Sequence, residues 1–360
     1  MKYLHLTIAL VSIAFHLACD TADETSKAEE PDAMDQVDTP DNSNDDAGDY
    51  TDNDGETIVD AVTEHGQLRI ADGKIVNQDG NSVQLRGMSF FWSQWMGQYY
   101  TPETVQWLKE DWRCNVVRAA MGVEDTDGYL SNPEIEKQKV FTVIDAAIDN
   151  GIYVLVDWHS HHAEDHVNEA VAFFSEVAQK YGNYPNIIYE TYNEPLDVNW
   201  NSVLKPYHEQ VLAAIRQYDP DNIVVCGTRT WSQRVDEVVG NPINDPNVAY
   251  TLHYYAATHK QELRNIAQLA LDNNIPIFVT EYGVSEANGD GSIDVAESET
   301  WWQFLDSNNI SWCNWSIADK EELSAALQPN ASAQGGWSAN TLTQSGTMVR
   351  AEIRSKNTAY

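Results

Sequence analysis

The chain has 360 residues, with 56 acidic against 21 basic side chains and a formal net charge of −35 at pH 7. A field of that sign repels phosphate backbones and argues against nucleic acid as a partner. Four cysteines, none in a Cys-x-x-Cys or Cys/His cluster, argue against a zinc site.

Residues 1–18, MKYLHLTIALVSIAFHLA, carry one lysine and then a mostly apolar run. That pattern predicts an export signal, too short and too early for an ordinary membrane span. Cys19 follows Ala18 in the manner of a bacterial lipoprotein cleavage site, although His16 stands where such sites usually have leucine. The expectation is a lipid anchor at Cys19, on a cell-surface or periplasmic lipoprotein or a secreted protein. Residues 19–60 read as an acidic disordered linker. From Asp20 to Asp60 there are 16 acidic residues, one lysine (Lys27) and no Leu, Phe or Trp, so nothing offsets the entropy of folding. The stretch DYTDNDGE alternates aspartates but lacks the ligand spacing of an EF-hand.

Residues 61–360 hold 19 basic and 40 acidic side chains. Their opening, GQLRIADGKIVNQDGNSVQLRGMS, predicts short strands split by Asp-Gly turns, a β-hairpin cap. Apolar runs then recur at 83–89, 114–121, 152–159, 186–194, 222–227, 248–255, 275–283 and 310–316. Helical patterns lie between them. One starts after Thr101 with Pro102 in its first turn, and two are read as ending on Gly151 and Gly182. Eight βα repeats predict an α/β fold, a closed (β/α)8 TIM barrel. A doubly wound sheet is the rival, but no Gly-x-Gly-x-x-Gly follows the first strand.

Ligands of such barrels sit where strands end and loops begin. The run ends in order supply Arg118, His159, Asn193 with Glu194, His253 with Tyr255, Glu281 with Tyr282, and Trp315. A lone glutamate there is most often an ion-pair partner, and a lone Trp315 or His159 a packing residue. Together, Glu194 and Glu281 form the carboxylate pair that glycoside hydrolysis needs, one protonated and one charged. Arg118 is placed to hold one glutamate ionised and Tyr255 to orient it. Glu190, four residues before Glu194, is read as deeper on the same side, either a buried partner of Arg118 or wet at the strand base. His159, His161, His162 and His166 match no metal-ligand motif, so neither metal nor cofactor is expected.

The segments NEP after an apolar strand, LHYYA, TEYG and NWS make the chain resemble glycoside hydrolase family 5 (clan A), close to its bacterial endo-1,4-β-glucanases, from about residue 67 to 355. The resemblance implies a retaining mechanism with Glu194 as general acid/base and Glu281 as nucleophile. It implies that Asn193 binds the sugar 2-hydroxyl and that Arg118 and Tyr255 hold Glu281 ionised. His159 and His253 would complete the floor, and Trp315 would carry the sugar ring. Glu194 is then expected to be the protonated member of the pair. Trp92, Trp95, Trp231 and Lys320 lie near the loops of the open end and suit a β-1,4-linked glucan chain. Mannan and mixed-linkage β-glucan are the alternative substrates, and a non-catalytic carbohydrate-binding barrel is the alternative class. Phe91, in SFFWSQW, stands where related glucanases often carry a histidine, which bears on binding detail and not on hydrolysis. EANGDGSID reads as a polar turn, Cys114, Cys226 and Cys313 as buried thiols, and the protein as a monomer.

Overall fold

The computed structural model describes residues 59–358. The predicted export signal, Cys19 and all but the end of the predicted linker lie outside them. Helix α1 (Ala61–His65) starts where Asp60 accepts from Thr63 N–H at 2.8 Å. Strands β1 (Arg69–Ala71) and β2 (Lys74–Val76) follow as an antiparallel hairpin. Asp72 and Gly73 both have positive φ, which is what a two-residue Asp-Gly hairpin turn requires.

Eight parallel strands then close into a barrel. They are β3 (Arg86–Phe90), β4 (Val116–Gly122), β5 (Tyr153–His159), β6 (Ile187–Glu190), β7 (Val224–Cys226), β8 (Val248–Tyr255), β9 (Ile277–Gly283) and β10 (Trp312–Ile317), with β10 pairing back onto β3. This is the predicted (β/α)8 barrel. Nearly every strand residue is buried, because one face meets the barrel interior and the other the helices. Uninterrupted apolar runs are the sequence form of that double burial.

The interior is filled at its N-terminal end by Leu85, Val116, Tyr153, Leu155, Ile188, Val225, Ala249, Phe278 and Cys313. Leu68, Ile75 and Val83 from the hairpin region pack onto the same cluster, so the hairpin closes that end. Each such side chain contributes about 1.5–3 kcal/mol relative to exposure. The opposite end stays open for function.

The remaining helices are α2 (Ser93–Met96), α3 (Pro102–Glu110), α4 (Pro133–Asp149), α5 (Val167–Tyr181), α6 (Lys205–Ile215), the short turn α7 (Arg229–Ser232), α8 (Gln261–Asp272), α9 (Val295–Asn308) and α10 (Gln344–Lys356). In α5 the buried set Ala170, Phe173, Phe174, Val177, Ala178 and Tyr181 repeats at helical spacing and faces the barrel. Gly151 follows α4 with φ +62, as its reading as a helix stop requires. Gly182 is different: its φ is −61, and it is needed because a Cβ would sit 2.6 Å from Ala178 O and 2.7 Å from Asp219 Cβ. Cys114, Cys226 and Cys313 are buried and unbridged. Among the described residues no helix is long and apolar enough to cross a membrane.

Candidate active site

At the open end the strands converge on Arg118, the centre of β4 and wholly buried. A buried guanidinium must spend all its donors on acceptors. Nε donates to Glu190 Oε2 at 2.7 Å, and Nη1 to Glu281 Oε2 at 3.0 Å and Ser89 Oγ at 3.3 Å. Nη2 donates to Asn193 Oδ1 at 2.7 Å and meets Asp157 Oδ2 at 2.8 Å. Five residues from four strands or their loops are thereby fixed by one side chain. Glu190 is the buried partner of Arg118, the first of its two sequence readings.

Glu281 closes the other side of this hub. Tyr255 O–H donates to its Oε1 at 2.8 Å, so both carboxylate oxygens are held. Burial keeps the Tyr255 phenol neutral and therefore a donor. Burial also raises the Glu281 carboxyl above the ordinary range, and the charge of Glu194 adds to this. The opposing pull of His253, Arg118 and Tyr255 only partly offsets it.

Glu194 lies beyond β6, which ends at Glu190, earlier than the predicted run to 194. Its backbone is instead fastened sideways to β5 and the loop after it. Asn193 N–H donates to Trp158 O and Glu194 N–H to Ser160 O, each at 3.2 Å. Its carboxylate meets two imidazoles, His253 Nδ1 at 2.9 Å on Oε1 and His161 Nε2 at 3.2 Å on Oε2. Burial pushes the Glu194 carboxyl up, but hydrogen bonds from His161 and His253 reverse that and leave it at about 2. In the free site the two imidazoles thus favour an ionised Glu194, against the protonated Glu194 expected from like-charge repulsion alone. The two histidines, absent from the like-charge argument made on sequence, decide which glutamate is held down.

The geometry around His253 favours a proton there. Its Nδ1–H faces Glu194 and its Nε2–H faces Thr280 Oγ1 at 2.8 Å, and Thr280 in turn donates to Glu190 Oε1 at 2.6 Å. With an acceptor at each ring nitrogen the imidazolium form is favoured. Burial opposes it, but Glu190 and Glu194 raise the ring to about 9. One oxygen of Glu194, one of Glu281 and a ring nitrogen of His253 all lie within 4.8 Å of one another.

His159 is not part of that proton pair. Burial and the Arg118 charge hold it neutral, and its Nδ1 donates to Asp157 Oδ2 at 2.6 Å. Its ring stacks on Trp315, 5.1 Å away and 3° from parallel, while Trp92 meets its edge at 4.2 Å. Trp315 is only 5% exposed, yet it lines the cleft. Trp95 and Trp231 are 49% and 48% exposed, flat surfaces left open to solvent.

Glu194, Tyr255 and Glu281 stand where two depressions meet. One, of about 560 Å³, has Thr230, Trp231, Gln233 and His259 in its wall. The other, of about 320 Å³, has Phe91, Trp92, Trp95, His159, His161, Trp315 and Lys320. The residues selected from the sequence for catalysis and sugar binding therefore line the cleft or its Arg118 base, whereas Tyr282, the neighbour of Glu281, turns outward into the core against Tyr254, Trp302 and Trp312. Phe91 packs against Trp315 at 5.0 Å and under Lys320 Nζ at 5.3 Å. The sequence reading missed Asp157, Thr280 and the Glu194 contact of His161. Strand alternation from His159 was the available signal for Asp157.

An open barrel whose mouth holds two close carboxylates between aromatic walls belongs to the glycosidase type of (β/α)8 protein. The family model "Cellulase (glycosyl hydrolase family 5)" matches residues 76–321. Endoglucanase Z of Dickeya dadantii is 49% identical over 272 residues, covering 75% of this chain and 62% of the relative. Endoglucanase A of Evansella cellulosilytica is 48% identical over 280 residues, covering 76% and 57%. A solved structure from Cytophaga hutchinsonii superposes with a TM-score of 0.82 at 56% identity, covering 83% of this chain and 98% of that one. The catalytic domain of a Thermobifida fusca endoglucanase gives 0.78 at 33% identity, covering 81% and 99%. The chain belongs to glycosyl hydrolase family 5. It spans 62% and 57% of the length of the two endoglucanases named from Dickeya and Evansella.

Proposed function

We propose that the protein is a retaining endo-1,4-β-glucanase, with Glu281 as nucleophile and Glu194 as general acid/base. The observation that carries this is the pair of glutamates with oxygens within 4.8 Å, one held by Arg118 and Tyr255, the other by two imidazoles. Whole carboxyl groups of an inverting pair stand about 6.5–9.5 Å apart to admit a water, and the close approach of these oxygens favours the retaining arrangement. Names of relatives support the glucan: endoglucanases recur among them, and a Thermobifida fusca endoglucanase catalytic domain has been solved with cellotetraose.

In the first step a Glu281 oxygen attacks the anomeric carbon as the glycosidic C–O bond breaks. The departing oxygen takes a proton from Glu194, and that proton reaches Glu194 across the 2.9 Å hydrogen bond from His253. The sugar is now an ester of Glu281. Glu194, again a carboxylate, removes a proton from water as that water attacks the same carbon and frees Glu281. Two displacements retain configuration. Asn193 Nδ2, buried and without a partner among the described residues, is the donor suited to the 2-hydroxyl of the sugar being cleaved. Trp315, Trp92 and Trp95 offer ring faces on one side of the cut and Trp231 on the other.

Export, and lipidation at Cys19, remain proposals from the sequence pattern, checked by the mass of the mature N-terminus. The function is tested by reducing-end release from carboxymethyl cellulose, mannan and barley β-glucan, using the full chain and its Glu281→Gln variant. Rapid viscosity loss on carboxymethyl cellulose, absent in the variant, is expected. Faster turnover of mannan overturns the substrate, and equal activity of the variant overturns the mechanism.

A further inference from the structure

Thr230, Trp231 and Ser232 have φ values of +62°, +53° and +54°. Three successive non-glycine residues in the left-handed region, one of them β-branched, do not arise from local preference. Such strain persists only where surrounding contacts impose it. Here those contacts converge on one neighbour. Thr230 N–H donates to Leu196 O at 2.8 Å and Trp231 N–H to Pro195 O at 2.9 Å. Ser232 O–H donates to Asn193 O at 2.7 Å and accepts from Thr228 N–H at 3.3 Å. The three carbonyls bracket Glu194.

The side chains on this turn divide in direction. Ser232 is wholly buried, while the Trp231 indole is among the most exposed large apolar groups and walls the cavity that Glu194 also lines. A right-handed or extended path would break the run of donors or turn the indole away from the cleft. The strained conformation therefore does two things at once: it presents an aromatic face to the ligand and grips the loop that carries the acid.

We propose that the Thr230–Trp231–Ser232 turn is a positioning device for Glu194, with the Ser232 hydroxyl as its anchor. This rests on the reading of Glu194 as general acid/base. Proton transfer demands placement within hydrogen-bond reach of the leaving oxygen, and misplacement by about 1 Å costs on the order of 10²-fold in rate. Ser232 makes the shortest of the three bonds, to the carbonyl of the peptide that leads directly into Glu194. Its loss lets the carboxyl drift without altering the sugar platforms, so kcat should fall and KM should not.

The test compares the full chain with Ser232→Ala and Trp231→Ala on two substrates. Cellopentaose has a leaving group that needs a proton; dinitrophenyl β-cellobioside has one that departs without it. For Ser232→Ala the expected result is a kcat on cellopentaose lower by about tenfold or more, with KM within about twofold. Its kcat/KM on the dinitrophenyl substrate, which reports the first bond cleavage, should stay within about twofold and so also certifies the fold. Trp231→Ala keeps its backbone N–H and should show the opposite split, a raised KM on cellopentaose with the smaller change in kcat. Equal losses on both substrates for Ser232→Ala, a change in KM alone, or no change overturns the proposal. Glu194→Ala, run alongside, tests the underlying reading: a loss of kcat/KM as large on the dinitrophenyl substrate as on cellopentaose removes Glu194 as the acid, whatever Ser232 does.

Discussion

Arg118→Met puts the hub of the site to the sharpest test. The substitution keeps much of the side-chain volume but deletes one buried cation and its five hydrogen-bonded or ionic contacts. Asp157, Glu190 and Glu281 would then share a buried region without that charge. Breaking a buried ion pair by removing one partner costs about 3–5 kcal/mol. At roughly 2–4 °C per kcal/mol for a domain approaching this size, Tm should fall by about 6–20 °C. Burial already raises Asp157 well above the usual carboxylate range despite Arg118, so protonation of the freed carboxylates will absorb part of the loss.

The catalytic consequence has a definite sign. Arg118 pulls the Glu281 carboxyl down against burial. Without it Glu281 ionises at higher pH, so the acid limb of kcat/KM should move up. Arg118→Lys keeps a charge but lacks the planar fork, and should lie between the two. Thermal melting, with kcat/KM on cellopentaose from acid to neutral pH, reads both effects. A Met variant that melts within about 2 °C of the parent and keeps its acid limb would refute the hub.

Other consequences follow from the proton pair and the core. His161→Gln removes a group that holds Glu194 down, alongside His253 and near the charges of Glu124 and Glu281. The alkaline limb of kcat/KM, set by loss of the proton that His253 and Glu194 share, should therefore rise; an unmoved limb excludes His161 from the titration. His253 is raised from 6.5 to about 9, so its contribution to stability is full below 6.5 and lost as pH climbs through about 9. Glu194, lowered from 4.5 to about 2, contributes above 4.5 and loses it as pH falls through about 2; being the same contact, it is counted once. Tm should then be highest near pH 4.5–6.5 as far as this pair decides it, and His253→Gln should flatten the alkaline decline in a melting series. Cys114, Cys226 and Cys313 should resist a thiol reagent in the native protein and all react in denaturant, since burial raises each thiol and none is bridged.

What was legible in the sequence follows from how each feature is held. Strands buried on both faces must be apolar throughout, so eight runs marked eight strands with small errors at their ends. Arg118, His159, His253, Tyr255, Glu281 and Trp315 lie on strands whose carboxyl ends the pattern locates. Glu194 was read from the end of the same kind of run, 186–194, yet β6 stops short of it and the backbone is held by residues of another strand and its loop. Its charge state was illegible for the same cause. That state depends on His253 from β8 and on His161 from the loop after β5, and no local pattern reports such a meeting. The turn at Thr230–Ser232 is the extreme case. Its residue types disfavour the left-handed region, so local preference points the wrong way, and the carbonyls of residues 193, 195 and 196, together with Thr228, hold it there. Local rules fail where tertiary contacts impose a costly geometry, and in this chain the failure falls beside the carboxylate whose position matters most.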